Sequence, residues 1–256
     1  MISRGELKDV YFNKENIDTN VFPFSLPFFR HADKLTIHPK MTFFVGENGT
    51  GKSTLLEAIA VASGFNPEGG TVNFNFGTRQ SHSALHRHIT TSRGIHRHTD
   101  GFFLRSESFF NLATEIENLD IEDPELKNLN FPEPPKIMDA YGGVSLHEQS
   151  HGESFWSLFI KRFAGNGFYI LDEPEAALSV TRQMAMLVRM HELIDDNSQF
   201  VIATHSPILL AYPGALIYEF SELGVQKVSF EQTQLYQSYA SFFQDPSYIV
   251  KQLLNL

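Results

Sequence analysis

Apolar and polar positions fall into blocks along this chain, and the blocks carry two periods. Met41-Thr42-Phe43-Phe44-Val45 is an apolar run too short for a helix and predicts a buried strand. Ser53-Thr54-Leu55-Leu56-Glu57-Ala58-Ile59-Ala60 carries a helical period and predicts a helix running to about Gly64. An apolar helical stretch spans Phe155 to Phe163. The final third then alternates: strand Phe168 to Leu171, helix Glu175 to about Leu193, strand Phe200 to Thr204, a helix or turn, strand Leu216 to Phe220. Bare apolar strands alternating with helices indicate an α/β fold with a mostly parallel sheet covered on both faces. Residues before Met41 read as strand-rich. In the helix after Glu175, Met184, Leu187, Val188, His191 and Ile194 recur at helical spacing, so His191 reads as packing rather than chemistry.

Between the first strand and the first helix stands Gly46-Glu47-Asn48-Gly49-Thr50-Gly51-Lys52-Ser53, followed by Thr54. The spacing G-x-x-x-x-G-K-[ST] builds a loop whose backbone N–H groups surround a polyphosphate. Glycine lets the backbone bend tightly and approach phosphate oxygens. Lys52 is placed to reach the β- and γ-phosphates, and Ser53 to offer its hydroxyl to Mg²⁺. A chance glycine-rich loop lacks the strand before it and the helix after it, whose positive N-terminal end faces the anion. The motif predicts nucleoside triphosphate binding.

Four later landmarks carry further chemistry. Ser150-His151-Gly152-Glu153 opens the Phe155 helix and offers a hydroxyl, a permissive glycine and a helix N-terminus to phosphate. Asp172 ends an apolar strand, where it can hold Mg²⁺ opposite Ser53. Glu173 follows and can orient and deprotonate an attacking water. Acidic helix starts are common, but here four unbroken apolar residues precede the pair. His205, in Thr204-His205-Ser206-Pro207, ends the next strand at the same sheet edge and can hydrogen-bond the γ-phosphate.

In this order and spacing, the phosphate loop, Ser150–Glu153 signature, Asp172-Glu173 Walker B pair, Glu175–Ser179 D-loop and His205 switch resemble the ATP-binding cassette superfamily. The closer resemblance is to stand-alone bacterial predicted ATPases of the RecF, Rad50 and OLD type. It rests on Val45 to Thr54, Gly101 to Phe110, His147 to Ser154 and Leu171 to Ser179, and runs from about Phe22 to the C-terminus. It implies a P-loop NTPase of ABC-ATPase type, with an N-terminal antiparallel strand region and a helical signature subdomain. ATP and Mg²⁺ are the implied cofactors. Lys52, Glu173 and His205 are implied to be catalytic, with Ser53 and Asp172 on the metal. Gly46, Glu47, Asn48, Gly49, Thr50, Gly51, Lys52, Ser53 and Thr54 would bind one nucleotide. Ser150, Gly152 and Glu153 would bind the nucleotide held by a partner subunit, in an ATP-dependent homodimer. His151 stands where transporter members carry glycine, and Ser179 where the D-loop carries aspartate. Glu107 is the substitute for a missing Q-loop glutamine.

The length of 256 residues is read as one ABC-type ATPase domain. Its parts are a phosphate-loop lobe over about 1–110, a connector over about 115–135, a signature, Walker B and switch region over about 140–220, and a tail over 221–256. A hydrophobic content of 42% with 24 Phe supports a folded core. No apolar run is long enough to cross a bilayer, so membrane insertion by this chain is not expected, and the N-terminus is no signal peptide. The absence of cysteine excludes thiolate metal sites and is compatible with a cytoplasmic location. A net charge of −10 opposes non-specific duplex binding. Charge is uneven, however: between Arg79 and Arg105 the only acid is Asp100. That stretch, with His82, His86, His88, His96 and His98, reads as a polar surface and the best candidate for nucleic-acid contact. Three readings stay open: an ATPase driving a protein or nucleic-acid effector, the nucleotide-binding subunit of a membrane transporter, and a slow ATP-gated nucleic-acid clamp.

Overall fold

A computed structural model of the chain describes residues 5–71, 83–106, 114 and 151–255. The first half contains β1 (Gly5–Phe12), α1 (Pro27–His31), β2 (Lys34–Thr36), β3 (Met41–Gly46), α2 (Lys52–Ala62), a short 3-10 turn (Ala84–His88), β4 (Ile89–Arg97) and β5 (Asp100–Arg105). The second half contains α3 (His151–Arg162), β6 (Gly167–Asp172), α4 (Val180–Asp195), β7 (Gln199–Ala203), α5 (Pro207–Leu210), β8 (Leu216–Ser221), β9 (Gly224–Val228), α6 (Gln234–Gln244) and α7 (Pro246–Leu254). The proposed connector, Glu107 and Ser150 lie outside the described residues.

Six strands form the main sheet in the order β5-β6-β7-β3-β8-β9. All pairings are parallel except β8 with β9. The apolar runs have a simple cause: β6 and β7 are buried at every position because both faces of the sheet are covered. Alternate side chains serve opposite cores. Phe43, Tyr169 and Ile202 pack with α3 and α4 on one face, while Phe44, Ile170 and Val201 pack with α2 on the other. A separate antiparallel sheet, β2-β1-β4, carries the N-terminal strands expected from the resemblance. Gln199 joins the two sheets: its amide accepts from Leu7 N at 2.9 Å and donates to the carbonyls of Leu7 and His38 at 2.7 and 3.0 Å.

Several expectations change. The helix read from Glu175 begins at Val180, because residues 174–178 form turns and Ser179 caps the helix through Arg182 N. Its buried face is Met186, Met190, Leu193 and Ile194, whereas Met184 and Val188 are exposed. His191 is therefore not packed. It is exposed, bonded to the Tyr212 hydroxyl at 2.9 Å and 3.6 Å from Asp195. The histidine-rich stretch is not uniformly surface either, since His98 is buried against Phe168. Its described arginines divide similarly: Arg105 pairs with Glu57 at 2.8 Å and Arg93 lies over Phe168, while Arg87 and Arg97 are exposed; Arg79 and His82 lie outside the described residues.

Candidate functional site

Parallel register gathers the site. Phe44 of β3 and Asp172 of β6 both pair with Ala203 of β7, so the strands end at one edge. The phosphate loop, Asp172-Glu173 and Thr204-His205 leave that edge side by side, in the crevice where open α/β sheets bind ligands.

Gly46 and Gly51 have φ of 141° and 95°. A Cβ on Gly46 would come within 2.2 Å of the Phe220 carbonyl oxygen, and one on Gly51 within 2.6 Å of the Phe28 ring. Both the backbone angle and the close approach demand glycine. Lys52 folds back over the loop, donating to the carbonyls of Gly46 at 2.7 Å and Glu47 at 2.9 Å. Burial holds its ammonium below the usual lysine range, opposed by the carboxylates of Glu173 and Asp172. Thr50 closes the loop by donating its hydroxyl to the Glu47 carbonyl at 2.8 Å.

Ser53 donates its hydroxyl to Asp172 Oδ1 at 2.9 Å, bringing together side chains 119 positions apart. Glu173 follows in the left-handed region at φ 51°, a conformation that costs a non-glycine residue about 1–3 kcal/mol. Its backbone is over-determined: its N–H donates to the Ala203 carbonyl at 2.9 Å, and its carbonyl accepts from the Ser106 hydroxyl at 2.6 Å. Glu173 Oε1 lies 3.6 Å from His205 Nε2. Burial, then Lys52, lowers the pKa of His205, favouring the neutral ring.

A cavity of about 370 Å³ lies over these groups, lined by Asn48, Gly49, Gly51, Lys52, Ser53, Thr54 and Glu173 together with Phe22 and Leu26. Gly46, Glu47 and His205 line a smaller neighbouring cavity of about 150 Å³. Phe22 is a wall that motif reading did not supply, and an aromatic exposed at 62% beside a phosphate loop is its signal. Gly152 and Glu153 line neither cavity of their own chain. Gly152 instead packs against the turn after Glu173, where a Cβ would meet the Ala177 carbonyl at 2.4 Å. Among the described residues no group of three or more His, Asp or Glu side chains could hold a metal ion. The hydroxyl–carboxylate pair Ser53 and Asp172 is a hard-oxygen donor set that suits Mg²⁺, which takes few protein ligands and completes its shell with water and phosphate.

Fold and loop together define a P-loop α/β protein, and comparisons narrow the class. The family model described as an AAA domain matches residues 20–128. The cytochrome c biogenesis ATP-binding export protein CcmA of Rhizobium johnstonii is 32% identical over 174 residues, covering 64% of this chain and 74% of that protein. An uncharacterized ABC transporter ATP-binding protein of Haemophilus influenzae is 24% identical over 222 residues, covering 82% and 81%. The solved ATP-binding cassette of an ABC transporter superposes with a TM-score of 0.50 at 15% identity, covering 92% and 98%. The chain belongs to the ABC-type ATPase superfamily.

Proposed function

We propose that this chain is a cytoplasmic ATP hydrolase that uses Mg²⁺, two copies closing over two nucleotides to drive a partner. The observation that carries the reading is the Ser53–Asp172 bond, with Ser53, Lys52 and Glu173 together on one cavity wall. In this reading Lys52 exchanges its two carbonyl acceptors for phosphate oxygens, so its charge is conserved while its partners change. Ser53 and Asp172 would hold Mg²⁺, which would neutralise phosphate charge. Glu173 takes the proton of the attacking water. His205, neutral and facing Glu173, hydrogen-bonds the terminal phosphate. Phe22 stacks on the base, an apolar face beside the polar loop. Ser150, Gly152 and Glu153 serve the nucleotide of the second copy, consistent with Gly152 and Glu153 lining neither of the two cavities described above.

A second reading, the nucleotide-binding subunit of a membrane transporter, is favoured by the relatives, an ATP-binding export protein and an ABC transporter ATP-binding protein. No described helix is long and apolar enough to cross a membrane, so in that reading another chain supplies the passage.

Titration with ATP tests the common core of both. Lys52→Ala removes the one side-chain cation that described residues place on the cavity wall and should abolish tight ATP binding and hydrolysis together. An unchanged nucleotide affinity would overturn the phosphate-loop assignment.

A further inference from the structure

We infer that Glu175 is a positioning residue for His205, holding it at the site through its backbone; this deepens the ATPase reading and rests on it. β7 ends at Ala203, so residues 204–206 lie beyond the strand and lack its regular ladder. Thr204 N still reaches the Phe44 carbonyl at 3.1 Å, but the next amide turns to a side chain. His205 N donates to Glu175 Oε1 at 2.5 Å. That carboxyl points inward from the turn at 174–178, and its other oxygen is also buried. An acidic residue in a turn ordinarily faces water. Here burial pushes its pKa up, a cost tolerated where the acceptor is needed.

A second tie lies one residue on. The Ser206 hydroxyl donates to Gln183 Oε1 at 2.6 Å, while Gln183 Nε2 donates to the Leu178 carbonyl at 3.0 Å. Residues 175–183 therefore grip 205–206 at two points. The Glu175 bond sets where the His205 peptide sits, and so where its imidazole stands relative to Glu173. The turn also receives the start of α3 at Ala177, against Gly152. A displacement of α3 would thus reach His205 through Glu175, in the same chain.

The full chain tests this with a mutant cycle read by single-turnover hydrolysis, ATP affinity, and amide exchange at His205 by NMR. Glu175→Leu fills the space without an acceptor. It should lower the single-turnover rate about 10- to 100-fold, the effect of a reacting group displaced by roughly an ångström, with ATP affinity little changed. Exchange at the His205 amide should quicken. Glu175→Gln keeps an acceptor oxygen and should recover most of the lost rate and protection. Because Glu175 acts through His205, Glu175→Leu with His205→Ala should be no slower than His205→Ala alone, to within about twofold. Multiplying losses, or parental rate and exchange in Glu175→Leu, would overturn the inference. Thermal melting monitors folding, and if the Leu variant does not fold, Glu175→Ala carries the same cycle. A parental chain that binds ATP and never cleaves it would instead overturn the ATPase reading, and this inference with it.

Discussion

At the scale of single residues, Asp172 and Glu173 are adjacent in sequence but have different surroundings. Asp172 is the last residue of a strand, buried, and bonded to Ser53. Glu173 turns out of the sheet with a positive φ, and its half-exposed side chain reaches the cavity and His205. Their substitutions should therefore separate two functions. Asp172→Asn should weaken Mg²⁺-dependent ATP binding and turnover together. Glu173→Gln should preserve binding and lower single-turnover hydrolysis ~100- to 10,000-fold, the usual contribution of a positioned base. Parental hydrolysis by Glu173→Gln would move water activation elsewhere, with His205 the next candidate.

At the scale of elements, the link from β4 to β5 shows how packing alters an apparently polar segment. His98 sits there with 4% exposure, stacked on Phe168, near His96 and Arg93. Burial, then His96 and Arg93, lowers its pKa to about 4, so the folded chain keeps it neutral. The unfolded chain takes up that proton near pH 6.5, so the contribution of His98 to stability is complete above about 6.5 and is lost as pH falls towards 4. The loss should approach about 3 kcal/mol. Urea unfolding of His98→Leu across that range should show a correspondingly flatter pH profile, and a profile as steep as the parent's would refute the assignment. The same segment marks a limit of sequence reading. An unbroken apolar run identifies a strand buried on both faces, so β3, β6 and β7 were legible from such runs alone. It does not identify a histidine covered by a residue 70 positions away. Nor could apolar spacing choose the face of α4: the rows 184–188–191 and 186–190–193 are both apolar enough, and the start at Val180 depends on the Ser179 cap. The Gly46–Ser53 loop and the Asp172-Glu173 pair were legible because phosphate and metal chemistry calls for fixed residue types at short spacing. The places of Phe22, Ser106 and Glu175 at the site were not, because their contacts form only after folding.

At the scale of the whole molecule, the open face of the site argues for a second copy. Lys52, Ser53 and Glu173 line a cavity together with Asn48, Gly49, Gly51 and Thr54 of the loop and with Phe22 and Leu26 from the N-terminal part of the same chain. Gly152 and Glu153, at the start of α3, line neither that cavity nor its neighbour. If they bind phosphate, the nucleotide must belong to another copy, and closure in pairs places one α3 start over each loop. Each chain carries a formal charge of −10, so two copies repel at long range, and in the proposed reading the contacts made through bound nucleotide must outweigh that repulsion. Light scattering on Glu173→Gln with ATP and Mg²⁺ should therefore give twice the monomer mass. Omission of nucleotide, or Lys52→Ala in the same background, should return the monomer. Raising the salt concentration should screen the repulsion and shift the equilibrium towards the dimer, unlike an assembly held by opposite surface charges. A monomer under every nucleotide condition would exclude the paired arrangement and leave Gly152 with only its packing role against Ala177.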